Sequence, residues 1–169
     1  VQFLHIFAYA LDGFAFSGEV LVGISYGKKN LKLLKKSVFL CSIWAAITAL
    51  ILSIGFLSFG NILIKFMTNA EEVLKVIKDF QIWITLVPLV SFPAYIMDGI
   101  FFGSIHLKEM RKAMIVSTIF FFIIAFFLTS TMQNSGLWLA LNIFFLMRAV
   151  TLIYYYPNIE RSVSSFKNS

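Results

Sequence analysis

Long apolar runs constrain this chain more than any other feature of its sequence. A bilayer core is about 30 Å thick, so a helix needs about 20 mostly apolar residues to cross it. With 60% hydrophobic and 13% charged residues, against about 25% charged in a soluble domain, the chain is too apolar for a water-facing surface. The runs also lack the alternation of barrel strands. We predict an all-α, polytopic transmembrane helix bundle with five spans, at about residues 3–26, 37–66, 79–105, 113–132 and 137–156.

The basic residues predict the orientation of these spans. Five Lys or Arg residues lie between the first two spans, three between the third and fourth, and two in the tail 157–169. All ten then share one side, which the positive-inside rule assigns to the cytoplasm. The start of the chain is predicted to be extracytoplasmic and the tail cytoplasmic.

The segments that end the spans carry their own signals. The mixed stretch 67–78 has balanced charge and apolar residues at helical spacing, which predicts a helix lying along the interface. A tight turn is predicted at residues 133–136, and Pro157 is predicted to close the fifth helix. Because the sequence opens with Val1 inside an apolar run, it reads as a fragment of a longer protein.

Four charged residues lie inside the predicted spans and away from their ends: Asp12, Glu19, Asp98 and Arg148. Each costs roughly 2.5 to 3.5 kcal/mol near a helix centre, so each needs a partner, a water cavity or neutralisation. The rise of an α-helix places Glu19, Asp98 and Arg148 at one level in the inner half of the membrane, with Asp12 in the outer half. Asp12 and Glu19 are seven residues apart and face nearly the same direction.

These charges support two interpretations. In the functional one, Asp98 or Glu19 pairs with Arg148, while a remaining carboxylate alternately binds and releases a proton or cation. In the structural one, all four residues form a static polar lock. The sequence leaves both open.

The third span contains helix-disrupting residues. Pro88 and Pro93 each remove a backbone donor, which predicts a kink or partial unwinding, as in the bendable helices of transporters. An ordinary kink accommodated by neighbouring helices is the alternative. Gly99 and Gly103 form a GxxxG spacing, which favours close helix packing.

Other function classes find little support. Cys41 is the only cysteine, and His5 and His106 lie near opposite membrane edges, so no metal site or cofactor is predicted. Motifs of the HExxH or Walker type are missing, and we predict that the protein is not an enzyme. The lysines of 28–36 are typical of topology determinants that contact anionic lipid, so membrane lipid is the expected partner and nucleic acid is not.

Several stretches in order along the chain resemble the C-terminal half of the multidrug and toxic compound extrusion (MATE) family, in its DinF-like branch. They are residues 8–15 (AYALDGFA) with Glu19, Gly23 and Gly27; residues 98–103 (DGIFFG) with 109–111 (EMR); and residues 136–140 (GLWLA) with Arg148.

This resemblance implies that residues 1–169 form part of the C-lobe of a twelve-span transporter in a bacterial inner membrane. Entry of H+ or Na+ would drive export of organic, often cationic, compounds by alternating access. Asp12, Glu19, Asp98 and Arg148 would line the polar network of the lobe, and Pro88 and Pro93 would shape its bending helix. The N-terminal lobe would be the missing partner, without which the fragment is not expected to transport.

Two alternatives remain at this level. A lipid-linked sugar flippase of the same superfamily would line its cavity with more Arg and Lys, whereas three acids against Arg148 favour a cation-handling cavity. A non-transporting membrane scaffold would use the same charges only to lock helices together.

Overall fold

The computed structural model describes residues 2–67 and 71–165, with side chains described for 4–60, 62 and 80–165. These residues form four helices, α1 (Gln2–Gly27), α2 (Leu31–Met67), α3 (Glu71–Gly103) and α4 (Leu107–Ser165). Each helix is long and apolar enough to cross a membrane. The chain is therefore an all-helical, multi-pass membrane protein.

The longest helix, α4, is folded back on itself at Gln133. The backbone of Gln133 has φ 50° and ψ −126°, far from helical values. The rings of Phe121 and Phe144 lie 5.8 Å apart, although a straight helix would separate these residues by about 35 Å. Gly136 also packs directly against the carbonyl of Leu128. The fourth and fifth apolar runs therefore form two antiparallel segments of α4.

Gln133 occupies backbone space that favours glycine, so Gln133→Gly is expected to stabilise the fold by about 1 kcal/mol. Thermal unfolding of the purified protein in detergent measures the effect. Asn134→Gly is the control, because Asn134 is helical and has no positive φ, and glycine there should destabilise by a similar amount. If both variants changed the unfolding temperature by the same amount in the same direction, the turn geometry at Gln133 would be contradicted.

Helix α3 is central to the bundle. It packs against α1, α2 and α4, and its Ile96, Ile100 and Phe101 are almost completely buried in the main core cluster. The first segment of α4 is different, because Phe122 and Phe126 are 67% and 74% exposed. That face is apolar and suits contact with lipid.

Pro88 and Pro93 lie inside α3 without unwinding it. The helix is continuous from Glu71 to Gly103, so of the two predicted outcomes partial unwinding is wrong, and a kink stays a prediction. Proline weakens the bonding of carbonyls one turn earlier. The carbonyl that Pro88 leaves without its helical donor is that of Ile84. The buried Ser53 hydroxyl of α2 donates to the next carbonyl, that of Thr85, at 2.7 Å, which ties this turn of α3 to α2.

The ends of two helices also differ from the sequence-based expectation. The backbone of residues 71–78 forms the first turns of α3 and not a separate interfacial helix. Residues 68–70, and the side chains of 67–78, lie outside the described residues. Pro157 does not close α4, which continues to Ser165. Ile159 and Val163 beyond it are buried in the main core cluster, and this packing holds the last turns helical.

Candidate functional site

A pocket of about 430 Å³ lies between α1, α3 and α4, and it is lined by the four charged residues that lie inside the predicted spans and away from their ends. Gly99 lines it as well, whereas Pro88, Pro93 and Gly103 are not among its lining residues. Its full lining is Asp12, Ala15, Phe16, Glu19, Tyr95, Asp98, Gly99, Phe102, Met110 and Arg148. Three carboxylates therefore share the pocket with three aromatic side chains.

Close packing of α1 against α3 brings the carboxylates together. A Cβ atom added to Gly99 would overlap the carbonyl oxygen of Ala15, and one added to Gly103 would overlap that of Glu19. Small residues allow helix backbones to approach this closely. Asp98 precedes Gly99, so the contact sets it beside the face of α1 that carries the other two acids.

The second segment of α4 packs beside α3 in a matching register. Tyr95 of α3 stacks on Phe145 of α4, with ring centroids 6.0 Å apart and an interplanar angle of 28°. Three residues further along each helix, Arg148 Nη2 donates to Asp98 Oδ2 at 2.7 Å. The aromatic pair and the ion pair therefore occupy successive turns of the same interface.

The ion pair is shielded from solvent but incompletely bonded. The side chains of Arg148 and Asp98 are 16% and 15% exposed. The other carboxylate oxygen, Asp98 Oδ1, is buried and has no hydrogen-bond partner. A buried polar atom without a partner is costly, so Asp98 retains the capacity to bind a proton or a further ligand.

Asp12 and Glu19 stay apart from this pair. Both are half-buried, and among the described residues no hydrogen bond or ion pair joins either to another side chain. Of the two candidate partners for Arg148, the structure therefore selects Asp98. It leaves two acidic side chains in the same pocket that one arginine cannot neutralise.

Tyr95 is a site residue that the sequence analysis missed. It lines the charged pocket and also a second pocket of about 190 Å³, whose walls include His5, Phe7 and Phe145. Tyr95 thus lies at the boundary between an acidic and an aromatic space. The available signal was its position three residues before Asp98, which places both on one helix face.

No three His, Cys, Asp or Glu side chains in the described parts of the chain are grouped so that they could hold a metal ion. His5 lines the second pocket. His106 lies at the other end of α1 and α3, where its Nδ1 is 2.8 Å from the carbonyl of Ser104 and its ring meets that of Tyr26.

Membrane-crossing helices around an intramembrane charged pocket define a class, that of multi-pass proteins with a buried polar site. Comparison with known proteins identifies the group within it. The family model described as MatE matches residues 1–131. The chain belongs to the MatE family, whose members are membrane transporters and not enzymes.

A relative and a solved structure agree with this assignment. The chain is 32% identical over 151 residues to the DNA damage-inducible protein F of Escherichia coli, a match that covers 86% of this chain and 31% of that protein. It also superposes on the crystal structure of the eukaryotic MATE transporter AtDTX14 with a TM-score of 0.82 and 15% identity, covering 90% of this chain and 36% of that one. The chain spans about a third of the length of each, and the second match shows the fold alone.

Proposed function

We propose that this chain supplies part of one lobe of a cation-coupled antiporter, which uses entry of H+ or Na+ to export organic, often cationic, compounds by alternating access. The two segments of α4 count as separate crossings, which gives five spans of a twelve-span protein. In this arrangement the basic loops and the C-terminal end of the chain face the cytoplasm of a bacterial cell, and the protein lies in the inner membrane. The missing N-terminal lobe covers the charged pocket.

One observation carries the proposal: the Asp98–Arg148 pair lies in a pocket with two further carboxylates, and Asp98 Oδ1 lacks a partner. A proton or cation on Asp98 neutralises its charge and weakens its bond to Arg148. The guanidinium is then free to turn toward Glu19 or Asp12 in the same pocket. A ligand that binds one arrangement better than the other shifts the equilibrium between them.

The lining of the pockets supports a cationic organic substrate. Three acids face one base in the first pocket, and Tyr95 joins it to the aromatic second pocket. Aromatic faces and carboxylates together attract an organic cation. A lipid-linked sugar carries phosphate, which this acidic lining repels, so the flippase alternative has no support from the site.

Efflux by the complete transporter in proteoliposomes tests the proposal, with a fluorescent organic cation such as ethidium and an imposed pH or Na+ gradient. We expect Asp98→Asn to lower gradient-driven efflux at least about tenfold, because the neutral amide cannot release a proton or cation. Glu19→Gln and Asp12→Asn should give smaller losses. Whichever gradient drives wild-type efflux identifies the coupling ion.

Glu109→Gln is the matched control, because Glu109 is an acid of α4 that does not line the pocket. It should leave efflux unchanged. The charges would serve only as a static polar lock if all three variants of the pocket acids were expressed at wild-type levels and kept coupled efflux.

A further inference from the structure

A basic pocket of about 660 Å³ lies at the end of the bundle opposite His5, away from the charged site. It is formed where the loop between α1 and α2 meets the last turns of α4. Its lining residues are Lys28, Lys29, Asn30, Leu31, Lys32, Val163 and Ser164. Three of these seven side chains are cationic and none is acidic.

The loop that presents the lysines is ordered by its own backbone bonds. The Lys28 amide donates to the Ile24 carbonyl at 3.0 Å, and the Asn30 amide donates to the Ser25 carbonyl at 3.1 Å, which closes the end of α1. Asn30 Oδ1 then accepts from the Leu33 amide at 3.1 Å and caps α2. The backbone positions of Lys28 and Lys32 are therefore fixed by the two helix ends.

The nearby acidic residue does not pair with Lys28 or Lys32. Glu160 of α4 bonds to Lys35 Nζ at 3.0 Å. In the part of the chain that the structure describes, neither Lys28 nor Lys32 is in an ion pair with a carboxylate. The ammonium groups of Lys28 and Lys32 thus keep their positive charge.

The pocket lies at the level of lipid headgroups. The apolar span of α1 runs from Leu4 to Gly27, and the lysines follow it immediately. Tyr156, one turn before Glu160, lies on the same part of α4, and tyrosine is typical of the membrane interface. Basic pockets between transmembrane helices at a membrane surface suit the phosphate groups of anionic lipids.

We propose that this pocket binds the phosphodiester headgroup of an anionic phospholipid and so joins the loop between α1 and α2 to the end of α4. The chemistry is that of two ammonium groups, Lys28 and Lys32, around a phosphate whose acyl chains run along the adjacent apolar helices. The inference depends on the membrane location of the chain and not on the proposed antiport.

Native mass spectrometry of the complete transporter tests this, with cardiolipin, phosphatidylcholine and inorganic phosphate titrated separately. We expect retention of cardiolipin but not of phosphatidylcholine. Lys28→Gln with Lys32→Gln should weaken cardiolipin binding about 25-fold, or about fivefold for each lysine. Lys28→Arg with Lys32→Arg keeps the charge and should retain binding, which separates lost charge from lost folding.

The matched control is Lys108→Gln with Lys112→Gln, which removes two charges near the start of α4 at the same end of the bundle. That end is the same because Gly23 of α1 contacts Gly103 of α3. If both double glutamine variants lost cardiolipin equally, binding would depend on general surface charge, and the proposal of a specific lipid pocket would be wrong. Displacement of cardiolipin by inorganic phosphate at equal concentration would overturn the lipid in favour of a soluble anion.

Discussion

Replacing Gly99 with alanine is expected to destabilise the protein by about 3 kcal/mol or more, at the upper end of the cost of overpacking. The new Cβ atom would overlap the carbonyl oxygen of Ala15, and it would lie 2.8 Å from the carbonyl carbon of Ala15. Both are backbone atoms, so relief requires α1 and α3 to separate. Separation would also open the charged pocket. Thermal unfolding of the purified complete protein in detergent measures the loss.

Gly13→Ala provides the comparison, because nothing lies within 4 Å of a Cβ atom at Gly13. Alanine there should leave stability unchanged or raise it slightly, since alanine has the higher helix propensity. If Gly99→Ala melted at the same temperature as Gly13→Ala, the close contact between α1 and α3 would be absent in the purified protein.

Removal of Arg148 is the second large effect that we expect. Arg148→Met leaves Asp98 without its partner in a shielded position, and breaking a buried pair costs about 3 to 5 kcal/mol. Adding Asp98→Asn should recover part of that loss, because the neutral amide no longer needs a cation. Unfolding free energies of the wild type, both single variants and the double variant form a thermodynamic cycle.

The cycle isolates the interaction between the two side chains. A coupling energy above about 1 kcal/mol agrees with the 2.7 Å contact. Additive effects, within about 0.5 kcal/mol, would mean that the two residues do not pair in the folded protein. Lys35→Met with Glu160→Gln is a comparison pair, since Lys35 is 55% exposed and exposed pairs contribute about 1 kcal/mol or less.

The sequence predicted one level for Glu19, Asp98 and Arg148 because the rise of an α-helix is nearly constant, and the contact between Asp98 and Arg148 agrees with it. That calculation left both Asp98 and Glu19 as partners for Arg148. The choice between them depends on the rotation of each helix about its axis, which side-chain packing sets. Here Gly99 against Ala15 and Tyr95 against Phe145 select Asp98.

Local rules were less successful where tertiary contacts compensate. Pro157 marks a helix end by propensity, yet the buried Ile159 and Val163 hold α4 helical beyond it. Pro88 removes a backbone donor from α3, yet the helix stays continuous, and Ser53 of the neighbouring helix donates to the buried carbonyl of Thr85 in that turn. In both cases the compensating residue is distant in sequence or follows the proline, so a reading of the local pattern could not include it.

The order of Asp98 and Arg148 along the chain matters for how the protein is made. A ribosome delivers α3 to the insertion machinery before it has synthesised the second segment of α4. Asp98 must therefore enter the bilayer before its cation exists, and the neutral acid is the form that lipid accepts at least cost. Ionisation of Asp98 and capture of Arg148 then become a later step of assembly, which fastens the second segment of α4 to α3.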